Sequence, residues 1–335
     1  MDFLYGGMAG VMAVLFTNPL DVVKTRMQLQ GELKKRNKYD IHYKNTLHAF
    51  YQIAKNDGIF ALHKGIVPAV YYQMCLNGLR LGAYGTASNW GWTKNDKNEV
   101  SIFRTIIVSA FAGCLGSFIG SPFYLMKTHF QSASSREIAV GYQHNHSGTF
   151  SGLAEVYRKD GVRGLWRGSV SSLLRVGVGS AAQLASFSKT KELLEKHKIF
   201  KSEQSLWNTF AASMLAGVVI ALFMAPFDVV QTRLYNQGVD QHGRGLLYTG
   251  ITDCFIKMFK TEGLLGFFKG VFPCYLRIGP HSLLSLMFWD TFKQIEFLDY
   301  LKNCLPLNSF GCPFFWVPVP NLTFTSAGAF TTPML

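Results

Sequence analysis

From about Phe3 to Leu20 nearly every residue is apolar, and Gly6 and Gly10 stand four apart, a spacing that lets a second helix approach closely. Pro19 falls near the end of this run, where loss of one backbone hydrogen bond predicts a bend that swings Asp21 and Lys24 toward a bundle axis. A basic loop follows over 31–44, carrying Lys34, Lys35, Arg36, Lys38 and Lys44. Thr46 to Lys55 then shows helical periodicity and stops at Asp57-Gly58, which predicts a short amphipathic helix. A second apolar span is expected from Pro68 to about Asn89, with Gly78 and Gly82 again four apart. The same plan returns from Phe103, where Gly113, Gly116 and Gly120 precede Pro122, and from Trp207, where Gly217 precedes Pro226. Spans four and six are expected at about Ser169 to Leu194 and Val271 to Ile295.

Two unlike markers keep step along this pattern. Pro19-Leu20-Asp21-Val22-Val23-Lys24-Thr25-Arg26 returns as Pro122-Phe123-Tyr124-Leu125-Met126-Lys127-Thr128-His129 and as Pro226-Phe227-Asp228-Val229-Val230-Gln231-Thr232-Arg233, at intervals of 103 and 104 residues. Asp57-Gly58 with His63-Lys64-Gly65 returns as Asp160-Gly161 with Trp166-Arg167-Gly168 and as Glu262-Gly263 with Phe268-Lys269-Gly270. Two markers in one period identify an internal threefold repeat. One pseudo-threefold unit is therefore expected from the 335 residues rather than two ordinary domains.

Composition sharpens the class. Hydrophobic residues make up 48% of the chain and charged ones only 16%, a balance that suits membrane helices joined by polar loops. A mean hydropathy of +0.13 is low for purely apolar spans, so the helices must carry polar faces turned away from lipid, toward a cavity. The net charge of +13 lies in loops and singly within apolar segments, without a basic stripe interleaved with aromatics. That distribution argues against nucleic acid and for anionic lipid and an anionic solute. The six cysteines show no CxxC pairing and no metal-ligand spacing.

These residues resemble the mitochondrial carrier family, whose repeat is Pro-x-acid-x-x-base-x-base followed by acid-Gly-x4-aromatic-base-Gly; the resemblance covers about residues 3 to 297. It implies an all-α membrane protein, with six transmembrane helices in three repeats, each repeat carrying a short matrix helix, around a central solute path. The repeats are assigned to 1–100, 101–202 and 203–298, with 299–335 as an extension expected to be poorly ordered. The resemblance also implies a multi-pass protein of the mitochondrial inner membrane that works as a monomer, moves small anions and touches inner-membrane lipid such as cardiolipin at its matrix helix ends. No cleavable leader is visible before Phe3, so import is expected to use internal information.

By the family's pairing scheme, the acid of each Pro-x-acid motif meets the base of the next repeat and closes the matrix side. Asp21 is expected to meet Lys127, and Asp228 to meet Lys24. The third contact falls on Tyr124 and Gln231, a neutral pair, and Gln28 and Gln131 are placed to brace the ion pairs. On the cytosolic side the copies read Tyr84-Gly85-x-x-Ser88, Phe187-Ser188-x-x-Lys191 and Trp289-Asp290-x-x-Lys293. Only Lys191 with Asp290 forms an ion pair there, while Lys293 faces Gly85.

Midway along the even spans, the position seven past each repeat glycine holds Tyr72, Arg175 and Arg277. Arginines at equal heights are costly beside lipid and are expected to face the cavity, where planar guanidinium forks suit a dicarboxylate, a 2-oxoacid or sulfate. Arg80, two turns beyond Tyr72, is placed to attract anions from the cytosolic mouth. An amino-acid substrate would want an acid at these heights, and they offer none. With the neutral Tyr124 and Gln231 positions, the set looks most like the oxaloacetate and sulfate carrier branch and its animal relatives. The expected function is exchange of small dianions by alternating access. Rival readings are a proton leak of the uncoupling type, a carrier of another small carboxylate such as phosphoenolpyruvate, and a scaffold that uses the fold without transport. No enzyme motif is present, and no cofactor is expected. His144-Asn145-His146 suggests metal but lacks further ligands, which favours an ordinary loop, and no metal is expected.

Overall fold

The computed structural model describes residues 2–34, 39–93, 101–182, 206–240 and 243–304, of which 102, 206–216, 283, 286, 290, 293 and 295–304 are described by backbone alone. Ten helices are seen among them: α1 Asp2–Leu29, α2 Thr46–Asn56, α3 Ile66–Asn89, α4 Ile102–Ile119, α5 Ser121–Ser132, α6 Thr149–Leu165, α7 over 169–182, α8 Leu206–Asn236, α9 Ile251–Glu262 and α10 Val271–Cys304. No strand is present among the described residues beyond an isolated bridge between Val239 and Gly245. The expected disorder from 299 falls largely outside this set, although α10 continues past 298 to Cys304.

The first span runs on past Leu20 to Leu29, because its Pro19 is absorbed within a continuous helix, as is Pro226 in α8. Repeat two differs. Gly120 and Ser121 precede Pro122, the helix breaks, and α5 leaves α4 at 66°. Helix α1, the 217–236 part of α8, and the bent α4–α5 pair are apolar enough to cross a membrane. Helix α3 is long enough, but it spends Gln73, Asn77 and Arg80 on the cavity rather than on lipid. Close approach of α1 and α3 follows from their glycines: a Cβ at Gly78 would stand 3.0 Å from Phe3 O, and one at Gly7 3.1 Å from Met74 Cγ.

Each short matrix helix packs on the two apolar residues inside the proline motif. Ala49 and Ile53 of α2 cover Val22 and Val23; Val156 of α6 covers Leu125 and Met126; Cys254 and Met258 of α9 cover Val229 and Val230. The middle of Pro-x-acid-φ-φ-base is thus a docking ridge. The glycines of the second marker all take positive φ: 84°, 65° and 71° at Gly58, Gly161 and Gly263, and 73°, 85° and 73° at Gly65, Gly168 and Gly270. They turn the chain from matrix helix into even span three times over.

Candidate functional site

Odd helices bring the motif charges to one level. Lys127 Nζ lies 2.7 Å from Asp21 Oδ2, and Lys24 forms an ion pair with Asp228; all four side chains are nearly excluded from solvent. Tyr124 and Gln231 behave otherwise. No hydrogen bond joins them: the Tyr124 ring lies edge-on between Tyr72 and Tyr235, at centroid distances of 4.9 and 4.8 Å, and Gln231 Nε2 donates to Ser172 Oγ at 3.0 Å. The expected third contact is replaced by a chain of three tyrosines, because Tyr235 stands where the other repeats have glutamine. Its hydroxyl is 2.8 Å from Ser121 Oγ.

Gln28 and Gln131 do not touch the ion-paired groups. Gln28 Oε1 accepts from Thr232 Oγ1 at 2.7 Å, while Gln131 Oε1 accepts from Thr25 Oγ1 at 3.0 Å and Gln131 Nε2 donates to Asn18 Oδ1 at 3.1 Å. They join neighbouring repeats beside the charges, not through them.

A second ring lies one turn deeper. The base at the end of each proline motif donates to a carbonyl at the end of the next repeat's odd helix: Arg26 Nε to Gln131 O at 3.2 Å, His129 Nε2 to Tyr235 O at 3.0 Å, and Arg233 Nε to Gln28 O at 3.3 Å. Both arginines also hold the acid of the second marker, Arg26 with Asp57 at 2.7 Å and Arg233 Nη2 with Glu262 Oε2 at 2.9 Å, and Lys269 adds a further contact to Glu262 at 2.6 Å. Burial pushes the Asp57 and Glu262 carboxyls up, but the Ser135 amide and Arg26 at Asp57, and Arg233 with Lys269 at Glu262, outweigh it and hold both below their ordinary values. Asp160 of repeat two has Arg167 at 2.9 Å instead.

Above the first ring, odd and even spans together (α1, α3, α4, α5, α7, α8 and α10) enclose a cavity of about 980 Å³, the open solvent at its mouth included. Tyr72, Arg80, Arg175 and Arg277 all line it. The two mid-span arginines are not free within it. Arg277 Nε is 3.1 Å from Asp21 Oδ1 and Arg175 Nη1 is 3.4 Å from Asp228 Oδ1, so each motif aspartate is shared by a lysine and an arginine. The Tyr72 hydroxyl and Arg80 Nε have no hydrogen-bond partner among the described residues. Five bases, Lys24, Arg80, Lys127, Arg175 and Arg277, gather here against two acids, Asp21 and Asp228, a surplus of three positive charges.

His281 escaped the sequence reading. It stands one helical turn past Arg277, with Nδ1 3.2 Å from Thr17 Oγ1 and Nε2 2.7 Å from Gln73 Nε2, and so ties α10 to α1 and α3 at the cavity wall. Leu76, Gly179 and His281 occupy the same register, eleven past each repeat glycine, and all line the cavity; that count would have found it.

Of the cytosolic positions, Lys191 and the side chains of Asp290 and Lys293 lie outside the described residues. Gly85, where the family motif has an acid, is packed by the side chain of Asp2, whose Oδ2 would stand 2.7 Å from a Cβ at that glycine.

Apolar helices in three repeats around one charged cavity define a membrane solute carrier. The sequence comparisons agree: the family model for mitochondrial carrier protein matches residues 1–95, 98–198 and 202–298. The chain is 48% identical over 299 residues to human solute carrier family 25 member 35, covering 89% of this chain and 99% of that protein. It is 37% identical over 301 residues to the mitochondrial oxaloacetate transport protein of Saccharomyces cerevisiae, covering 88% and 90%. With mitochondrial citrate transporter E of Aspergillus niger it shares 38% over 295 residues, covering 88% and 92%. The chain belongs to the mitochondrial carrier family. It is a multi-pass protein of the inner membrane that transports solute and is not an enzyme.

Proposed function

We propose that this carrier exchanges small dianions by alternating access, taking oxaloacetate, other dicarboxylates or 2-oxoacids, sulfate or thiosulfate. The surplus of positive charge in the cavity supports this reading: closure around a neutral or cationic solute would leave that charge uncompensated in a low-dielectric bundle. The names of the yeast and Aspergillus relatives, oxaloacetate and citrate, point to small carboxylates, a di- and a tricarboxylate. In this reading Tyr72, Arg80, Arg175 and Arg277 bind the anion. Asp21, Lys24, Lys127 and Asp228 form the matrix gate, with Gln28, Gln131, Tyr124 and Gln231 beside it, and Lys191, Asp290 and Lys293 act at the cytosolic gate.

Binding and gating then share groups. A carboxylate that takes Arg277 from Asp21, or Arg175 from Asp228, removes half the positive charge from a gate acid at the moment the substrate is seated.

Uptake of labelled oxaloacetate, malonate, sulfate and thiosulfate into proteoliposomes, with and without internal counter-anion, tests the proposal. Uptake should depend on the counter-anion, and Arg277→Ala should lower it by about tenfold or more, equivalent to about 1.4 kcal/mol or more of lost anion stabilisation. The variant should still fold, since Asp21 keeps Lys127. Normal exchange by Arg277→Ala would overturn the arginine site, and uptake independent of any counter-anion would replace exchange by uniport.

A further inference from the structure

The second ring has an arginine in repeats one and three and His129 in repeat two, and the structure surrounds that histidine with two more. The His129 and His144 rings stack with centroids 3.4 Å apart, and His129 Nδ1 lies 3.2 Å from His146 Nε2. One ligand nitrogen from each ring falls within 4.8 Å of the other two.

The opposite nitrogen of each ring is already committed to an acceptor. His129 Nε2 faces Tyr235 O at 3.0 Å, His144 Nε2 faces Asn236 O at 2.9 Å, and His146 Nδ1 faces Glu155 Oε2 at 2.9 Å. Carbonyls and carboxylates only accept, so these nitrogens carry the hydrogens, and each neutral ring turns a bare lone pair the other way. Two such lone pairs across 3.2 Å repel each other unless a cation lies between them. The separation is close to the edge of a tetrahedron of ligands around zinc, about 3.3 Å for Zn–N bonds of about 2.0–2.1 Å. Backbone carbonyls and a carboxylate on the far nitrogens are also the outer partners that ligating histidines use.

We propose that His129, His144 and His146 bind one divalent transition-metal ion of the zinc class on the matrix side, with a fourth position open to water. Imidazole nitrogens without thiolates suit zinc, nickel or copper rather than magnesium or calcium. The rings of His129 and His144 lie nearly parallel, which holds their lone pairs in parallel planes, so completing the site requires His144 to tilt out of its stack. The ion restores to repeat two the positive charge that Arg26 and Arg233 supply elsewhere. It also ties the end of α5 and the 144–146 loop to the end of α8, through the Tyr235 and Asn236 carbonyls.

The full-length carrier, purified in detergent and stripped with chelator, would be titrated with Co²⁺ and Zn²⁺. One equivalent of Co²⁺ should give the intense visible bands of a four-coordinate ion, displaced by Zn²⁺, and Zn²⁺ should raise the melting temperature. His144→Asn and His146→Asn, both in the loop, should each weaken binding by about tenfold or more, and Glu155→Ala by about 10–100-fold through the His146 tautomer. Absence of those bands from the wild type would overturn the site and leave a proton shared between His129 and His146. Unchanged affinity in both histidine variants would overturn it equally.

Discussion

At the scale of single residues, a buried charge left without its partner costs more than a buried amide left without one. Asp21, Lys24, Lys127 and Asp228 recur in register, and a buried charge has few places to go, so their pairing follows from the motif. The glutamines obey a weaker constraint. Gln131 could serve any donor or acceptor in reach, and which it meets depends on helix rotation that no spacing encodes; it meets Thr25 and Asn18. Tyr72, Arg175 and Arg277 fell at one height by counting, but the sharing of Asp21 and Asp228 with the arginines had no sequence signal, because the family scheme already gives each acid a partner. Gln131→Ala should destabilise the carrier by about 1–3 kcal/mol, since it strips partners from two buried groups. Gln28→Ala, which removes only the Thr232 bond found for that side chain, should cost less. Melting temperatures of the two variants in detergent decide the order, and an equal loss would show that these side chains pack rather than bond.

At the scale of elements, the first matrix helix was legible nearly to the residue, because amphipathic period and glycine coincide. Thr46–Asn56 appeared as expected, ending beside the Asp-Gly step. The 66° break in repeat two was not expected apart from the other proline bends, since Pro122 matches Pro19 and Pro226 while only its neighbours Gly120 and Ser121 differ. Gly263 has φ 71° and ψ −169°, a region essentially closed to residues with a side chain, so Gly263→Ala should cost about 1–3 kcal/mol although no neighbour lies within 4 Å of the added carbon. A cost measured near zero would show that the turn relaxes. The acid beside that turn gives a pH dependence. Glu262 titrates below its ordinary value of 4.5 in the folded chain, so its stabilising contribution is whole above that pH and is lost as pH falls through the lowered folded value. Glu262→Gln should destabilise by about 3–5 kcal/mol at neutral pH, because Arg233 loses its counter-charge in a buried site. The melting temperature of the variant should also fall less steeply than that of the wild type below pH 4.5. Parallel melting curves would remove Glu262 from the acid response.

At the scale of the whole molecule, the matrix side is held by two charge clusters in place of three equal pairs: Asp21 with Lys127 and Arg277, and Asp228 with Lys24 and Arg175. The third interface carries the tyrosine chain, which offers packing and one hydroxyl bond but no charge. Without substrate, both arginines add to the hold on the matrix gate, so the resting carrier should keep that gate closed and the cavity reachable from the cytosol. Substrate reverses the balance by drawing the arginines onto itself. Lys24→Ala leaves Asp228 with Arg175 alone, and even about 1.4 kcal/mol lost from the closed gate would shift the ratio of states tenfold toward matrix-open. Ser180 lines the cavity, so Ser180→Cys in a carrier otherwise free of cysteine would report access to it. A membrane-impermeant thiol reagent added on the cytosolic side, with no substrate present, should label that cysteine readily in the parent and several-fold more slowly once Lys24→Ala is added. Equal rates would mean that the resting state is set elsewhere than at the Lys24–Asp228 pair.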